Sequence, residues 1–150
     1  QAPIDEAMPA FAPSTTTPLR MQGGTFTIGA AAKKISKFSL EVGGAVVAQP
    51  DVNAASGVAS YIITDFDPAV GFDLEAELVA SYDINGIWLA GTEAAVVFAA
   101  TGGGRTVTIT CPKVQYKEVP EGDRDGIAIY DAAGQCNNDS GNDAIAIVTT

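Results

Sequence analysis

Histidine is absent from this chain, which removes the side chain that most often moves protons near neutral pH and most often binds transition metals. Catalytic readings lose most of their candidates at once. Positive charge is also scarce: eight Lys plus Arg face eighteen Asp plus Glu, a net charge of −10. No Lys or Arg occurs between Lys37 and Arg105, an interval holding Glu41, Asp51, Asp65, Asp67, Asp73, Glu75, Glu77, Asp83 and Glu93. Affinity for a nucleic-acid backbone comes mainly from clustered Lys and Arg that displace counterions, so tight DNA or RNA binding is not expected. Acidity still permits proximity to DNA, because a like-charged surface can act as a repulsive wall along which a polyanion slides.

The two cysteines, Cys111 and Cys136, have no metal-ligand spacing and are too few for the disulfide framework of a small secreted domain. Two free thiols are favoured over one bridge. No apolar run approaches the ~18 residues needed to span a bilayer, and no basic-then-apolar signal segment opens the chain, so nothing points to a membrane. The charged share, 17%, lies below the roughly 25% typical of soluble domains, while the apolar share of 47% is ordinary. Part of the surface is therefore expected to be covered by neighbouring molecules.

Length fits a single domain of 150 residues. Residues 1–22 carry Pro3, Pro9, Pro13 and Pro18 with a Ser14-Thr15-Thr16-Thr17 run, which favours extended, non-helical backbone and reads as an arm or linker. The start at Gln1 suggests a piece of a longer protein, with residues 23–150 as a single β domain forming its C-terminal part. From Gly24 onward the pattern has period two. Phe26 and Ile28 alternate with threonines, and Phe38, Leu40 and Val42 alternate with polar residues up to a turn expected at Gly43-Gly44. Further segments rich in Val, Ile, Thr and Tyr lie at 46–49, 58–66, 94–99, 105–111, 114–119, 126–131 and 144–149, bounded by Gly, Pro, Asn and Asp. Between Phe72 and Trp88 the pattern suits a strand passing into a short helix that stops before Asn85-Gly86. The expectation is an all-β fold, or β with one short helix: an antiparallel β-sandwich or barrel of about 8–9 short strands.

Candidate chemical motifs are weak. Gly102-Gly103-Gly104-Arg105 lacks the ending of a phosphate loop and precedes a strand, so it reads as a hairpin turn. Asp65, Asp67, Asp73 and Glu75 do not make a calcium loop, because Val70 stands where glycine is required. The polar cluster from Asn137 to Asp143 echoes one unit of calcium-binding nonapeptide repeats that work only in tandem, and reads as a loop between strands. No serine lies in a nucleophile elbow. No catalytic, cofactor-binding or metal-ligating residue is assigned, and no cofactor is expected.

The order of segments carries a family resemblance. Gly24-Thr25-Phe26-Thr27-Ile28-Gly29, then 35–47 (Ile35 through Val47), then Tyr61-Ile62-Ile63-Thr64-Asp65, 107–116, and the ending from Asp123 through Ile147 together resemble the tail tube proteins of long-tailed bacteriophages. The likeness covers about residues 23–150. Where such proteins usually carry an acidic pair before the last strand, this chain has Asp143-Ala144. The resemblance implies a non-enzymatic virion subunit of a two-layer or barrel-like β fold. Its partners would be copies of itself, in rings that are often hexameric, and other tail proteins. It would stack around a lumen through which DNA leaves the capsid, in a tail assembled in the host cytoplasm. On this view the acids of residues 38–104, Asp73, Glu75 and Glu77 among them, would line the wall. Two other readings stand beside it: a secreted or cell-surface β-sandwich binding carbohydrate or calcium through 137–143, and a hydrolase using carboxylates.

Overall fold

Alternating apolar residues become strands here because each pair of neighbours gives a ladder one buried face. The computed structural model describes residues 18–20 and 22–150, so the arm expected at 1–22 lies largely outside the described residues. The fold is mostly β, with one short helix. Among the described residues eleven strands occur: β1 (Thr25–Ile28), β2 (Ala31–Ala32), β3 (Ile35–Glu41), β4 (Gly44–Pro50), β5 (Val58–Phe66), β6 (Ala69–Glu75), β7 (Glu93–Gly102), β8 (Arg105–Glu118), β9 (Glu121–Arg124), β10 (Ile127–Asn137) and β11 (Ala146–Thr149), with helix α1 (Ile84–Leu89) between β6 and β7. All pairings are antiparallel. Nine strands form one sheet of order β2-β1-β7-β8-β10-β6-β3, with β11 added to β8 and β9 to β10, while β4 and β5 form a separate two-stranded sheet.

The large sheet is not a closed barrel: its path ends at β2 on one side and β3 on the other. It curls over its own apolar face instead. Phe38 of β3 stacks on Phe98 of β7 with ring centroids 5.0 Å apart, although β6, β10 and β8 separate those strands in the ladder. Phe26 of β1 contacts both Phe38 and Phe72 at 5.9 and 5.0 Å. Those aromatic contacts join opposite ends of the sheet, and around them Val70, Leu74, Val96, Cys111, Val114 and Tyr116 complete the core.

Three local expectations are corrected. The two strands expected at 105–111 and 114–119 are one strand, β8: Val96 pairs with Cys111 and Ala94 with Val114, so the extra residue at Pro112-Lys113 is absorbed as a bulge. The helix begins where it was expected to stop. Asp83 caps it by accepting the Gly86 N–H at 2.9 Å, and a Cβ on residue 86 would lie 2.3 Å from that carboxylate, so Asn85-Gly86 belongs to the first turn. Gly43-Gly44 does not reverse the chain. β3 continues into β4 and β5 into β6, giving one long hairpin whose reversal lies at residues 51–57. The hairpin turn expected after Gly102 is present, with Gly103 and Gly104 both at positive φ between the paired Gly102 and Arg105.

Candidate functional site

The long hairpin has two halves, and they differ in what covers them. In the inner half, β6 alternates Val70, Phe72 and Leu74 into the core with Gly71, Asp73 and Glu75 on the opposite face. Asp73 is nevertheless buried, at 4% exposure. It sits where Ile35 pairs with Leu74 and Phe38 with Phe72, so Ser36 and Lys37 together oppose one residue. Their backbone N–H groups, at 2.7 and 2.6 Å, donate to Asp73 Oδ1, and the Ser36 hydroxyl and Arg124 Nη1 donate to Oδ2. Burial pushes the carboxyl up, but the Ser36, Lys37 and Arg124 hydrogen bonds outweigh it and hold Asp73 below the usual carboxylate range.

Arg124 also donates to Glu75 at 2.7 Å, Lys34 lies 3.6 Å from Glu75, and Lys33 meets Glu77 at 2.9 Å while its ammonium lies 3.9 Å over the Tyr82 ring. Thus Asp73, Glu75 and Glu77, expected on a DNA-facing wall, are each paired with a cation. The sequence interval without Lys or Arg hid this, because Lys33, Lys34 and Arg124 arrive from neighbouring elements. Elsewhere in that interval Asp67 lies 3.8 Å from Lys117, whereas Glu41, Asp51, Asp65, Asp83 and Glu93 form no ion pair among the described residues.

The outer half is a ribbon. β4 and β5 pair only with each other, and the ribbon runs roughly 23 Å for the seven residues of β4. Register puts Val46 with Ile63 and Ala48 with Tyr61 on one face, and Val47 with Ile62 and Gln49 with Ser60 on the other. The first face is wholly apolar, with Val46 62%, Tyr61 73% and Ile63 68% exposed. On the second, the Ser60 hydroxyl donates to the Gln49 amide oxygen at 3.0 Å beside exposed Val47 and Ile62. At its tip Asp51 accepts the Asn53 N–H at 2.8 Å, and its own N–H donates to the Gly57 carbonyl at 3.0 Å. A two-stranded ribbon alone is marginally stable in water, and natural free edges are usually guarded by Lys, Pro or a bulge. This ribbon has no Lys or Arg, bulges near each end of β4, and Pro50 only at its far end. The alternation at 46–49 and 58–66 marks both strands, but the exposure of their faces among the described residues is set by tertiary packing.

The 137–143 loop is engaged with itself. Asp143 accepts the Asp139 N–H at 2.8 Å and the Ser140 N–H at 3.0 Å, which pulls its carboxyl below the usual range. Asn138 accepts from Ala144 N–H, and Lys113 pairs with Asp139 at 2.9 Å. Among the described residues no group of three or more Cys, Asp or Glu side chains converges as a metal site would require. Cys111 and Cys136 are free and buried. Buried Tyr116 shares a 2.8 Å hydrogen bond with the Tyr82 hydroxyl, and burial raises both phenols.

No protein-family model matches the chain, and no curated protein matches it either.

Proposed function

We infer that the protein is a self-assembling structural subunit, of the kind that builds the tube of a phage tail, and that it is not an enzyme. The observation that carries this reading is the β4–β5 ribbon, which holds exposed apolar side chains on both faces and pairs with no other strand among the described residues. Contiguous exposed apolar surface of this kind marks an interaction site. Burying Val46, Tyr61 and Ile63 against a neighbour offers roughly 1.5–3 kcal/mol per fully covered side chain. The order of strand motifs resembling tail tube proteins favours further copies as the neighbours, with other tail proteins at the ends, in the virion tail.

The conduit part of the reading draws on charge. Since Asp73, Glu75 and Glu77 are compensated, the wall that keeps DNA from sticking would have to draw on acids that form no ion pair among the described residues and lie off the ribbon, such as Asp83 and Glu93. Their reach is about a Debye length, ~8 Å at physiological salt.

Assembly tests the reading. Tyr61→Asp with Ile63→Asp should abolish concentration-dependent association in sedimentation velocity, and rings or tubes in negative-stain micrographs, while the far-UV circular dichroism of the monomer stays that of a β protein. A double variant that assembles like the parent chain removes the ribbon as the carrying observation.

A further inference from the structure

A second surface complements the ribbon. Leu19, Arg105, Thr106, Val107, Thr149 and Thr150 line a groove of about 370 Å³ where β11 lies along the first half of β8. Leu19 and Val107 make the walls partly apolar, three threonines add hydroxyls, and Arg105 is the one charged side chain. Arg105 is exposed and, with Arg20 and Lys37, is one of three cations that form no ion pair with the described residues. Beside the groove, Ile147 stands on the same side of β11 as Thr149, two residues away, and is also exposed. The edge of β11 facing away from β8 has no strand partner among the described residues, and its sequence, Ala146-Ile147-Val148-Thr149, has no charge and no proline to guard it.

The ribbon has the opposite character. It is apolar, and its acids Asp51 and Asp65, with Glu41 at its base, form no ion pair among the described residues. A surface with acids and no cations matches a surface whose one charged lining side chain is an arginine that forms no ion pair among the described residues. We propose that the β4–β5 ribbon of one copy docks on the β11 edge and the Arg105-lined groove of a second copy. The inference rests on the self-assembly reading and adds the acceptor. Because donor and acceptor are different patches of one chain, the contact is heterologous, and it propagates to a ring or an open filament instead of stopping at a two-fold dimer.

That asymmetry makes the test specific. One variant loses the acceptor (Arg105→Glu with Ile147→Glu) and the other loses the ribbon (Tyr61→Ser with Ile63→Ser). All four positions are exposed, so both variants should fold, as circular dichroism will check. In sedimentation velocity each variant alone should associate at least about tenfold more weakly than the parent chain. An equimolar mixture should form a 1:1 dimer and nothing larger, since one intact ribbon meets one intact acceptor. If the acceptor variant alone assembles like the parent, the ribbon binds elsewhere and the acceptor is wrong while self-assembly stands. If the ribbon variant alone assembles like the parent, both the proposal and its premise fail. A parent chain that stays monomeric at the highest soluble concentration overturns both as well. A mixture that remains monomeric overturns the ribbon-to-groove pairing.

Discussion

The inner and outer halves of the long hairpin share an alternation of apolar side chains and meet at a short break, yet one is anchored in the core and the other is exposed on both faces. In the inner half, Phe72 and Leu74 face a filled core, and Asp73 ties β3 to β6 and β9 through Ser36, Lys37 and Arg124. In the outer half Tyr61 and Ile63 alternate in the same way but are exposed. Period two is thus a statement about a strand having two different faces, and what lies over each face is set by the rest of the chain.

The largest expected break in this comparison is between like substitutions in the two halves. Leu74→Ala, at 1% exposure, should destabilise the chain by about 3–5 kcal/mol in urea unfolding. Ile63→Ala should cost the monomer less than about 0.5 kcal/mol. Comparable losses at both positions would mean that the ribbon is already covered in the monomer.

Next in size is the anchor itself. Asp73→Asn leaves Arg124 and the backbone donors of the bulge short of charge, and should cost about 3 kcal/mol at pH 7. The sign of its pH dependence follows from a carboxyl held below its ordinary value of 3.8. Its contribution is present above the unfolded value, about 3.9, and is lost as pH falls through the lower folded value. The gap between parent and Asp73→Asn stability curves should therefore be widest near neutral pH and shrink below about pH 4. A gap that does not change with pH would show that Asp73 acts through packing and not through charge.

The smallest effect is expected at the junction. Gly43 has φ +61, and a Cβ there would lie 2.1 Å from the Asp67 carbonyl oxygen, whose own residue donates its N–H to the Gly43 carbonyl. Gly43→Ala should loosen the outer half alone. Ribbon amides should exchange with solvent about tenfold faster, a cost of 1–2 kcal/mol, while those of Val70 to Leu74 keep their protection. Equal acceleration in both halves would mean that they open as one unit.

Much of the fold was legible in the residues. Alternation at Phe26 and Ile28 and at Phe38 and Leu40, and the glycine pair after Gly102, gave strands and a turn that the structure contains. Gly43-Gly44 misled as a turn, and three further features misled. Pro112 looked like a terminator and is a bulge in an unbroken strand, because the partner ladder of β7 resumes beyond it. Asn85-Gly86 looked like the stop of a preceding helix and is the first turn of α1, because the Asp83 carboxylate needs the space that glycine leaves. The second part of β10, Ala132-Ala133-Gly134, has too little side chain to show a period, yet it pairs with β6 and β8 on its two sides.

By itself, the sequence determined the β class, the antiparallel short-turn character, the scarcity of positive charge and the lack of a histidine-based site, since each depends on residue type and local spacing. Only the tertiary structure decided which acids are free and which apolar faces are bare. Asp73, Glu75 and Glu77 look uncompensated along the chain, but their cations come from up to 51 residues away, through loops and strands that local spacing does not specify. The β4–β5 ribbon reads like the buried strands because a side chain's burial is fixed by what packs over it, and no sheet of the described chain packs there.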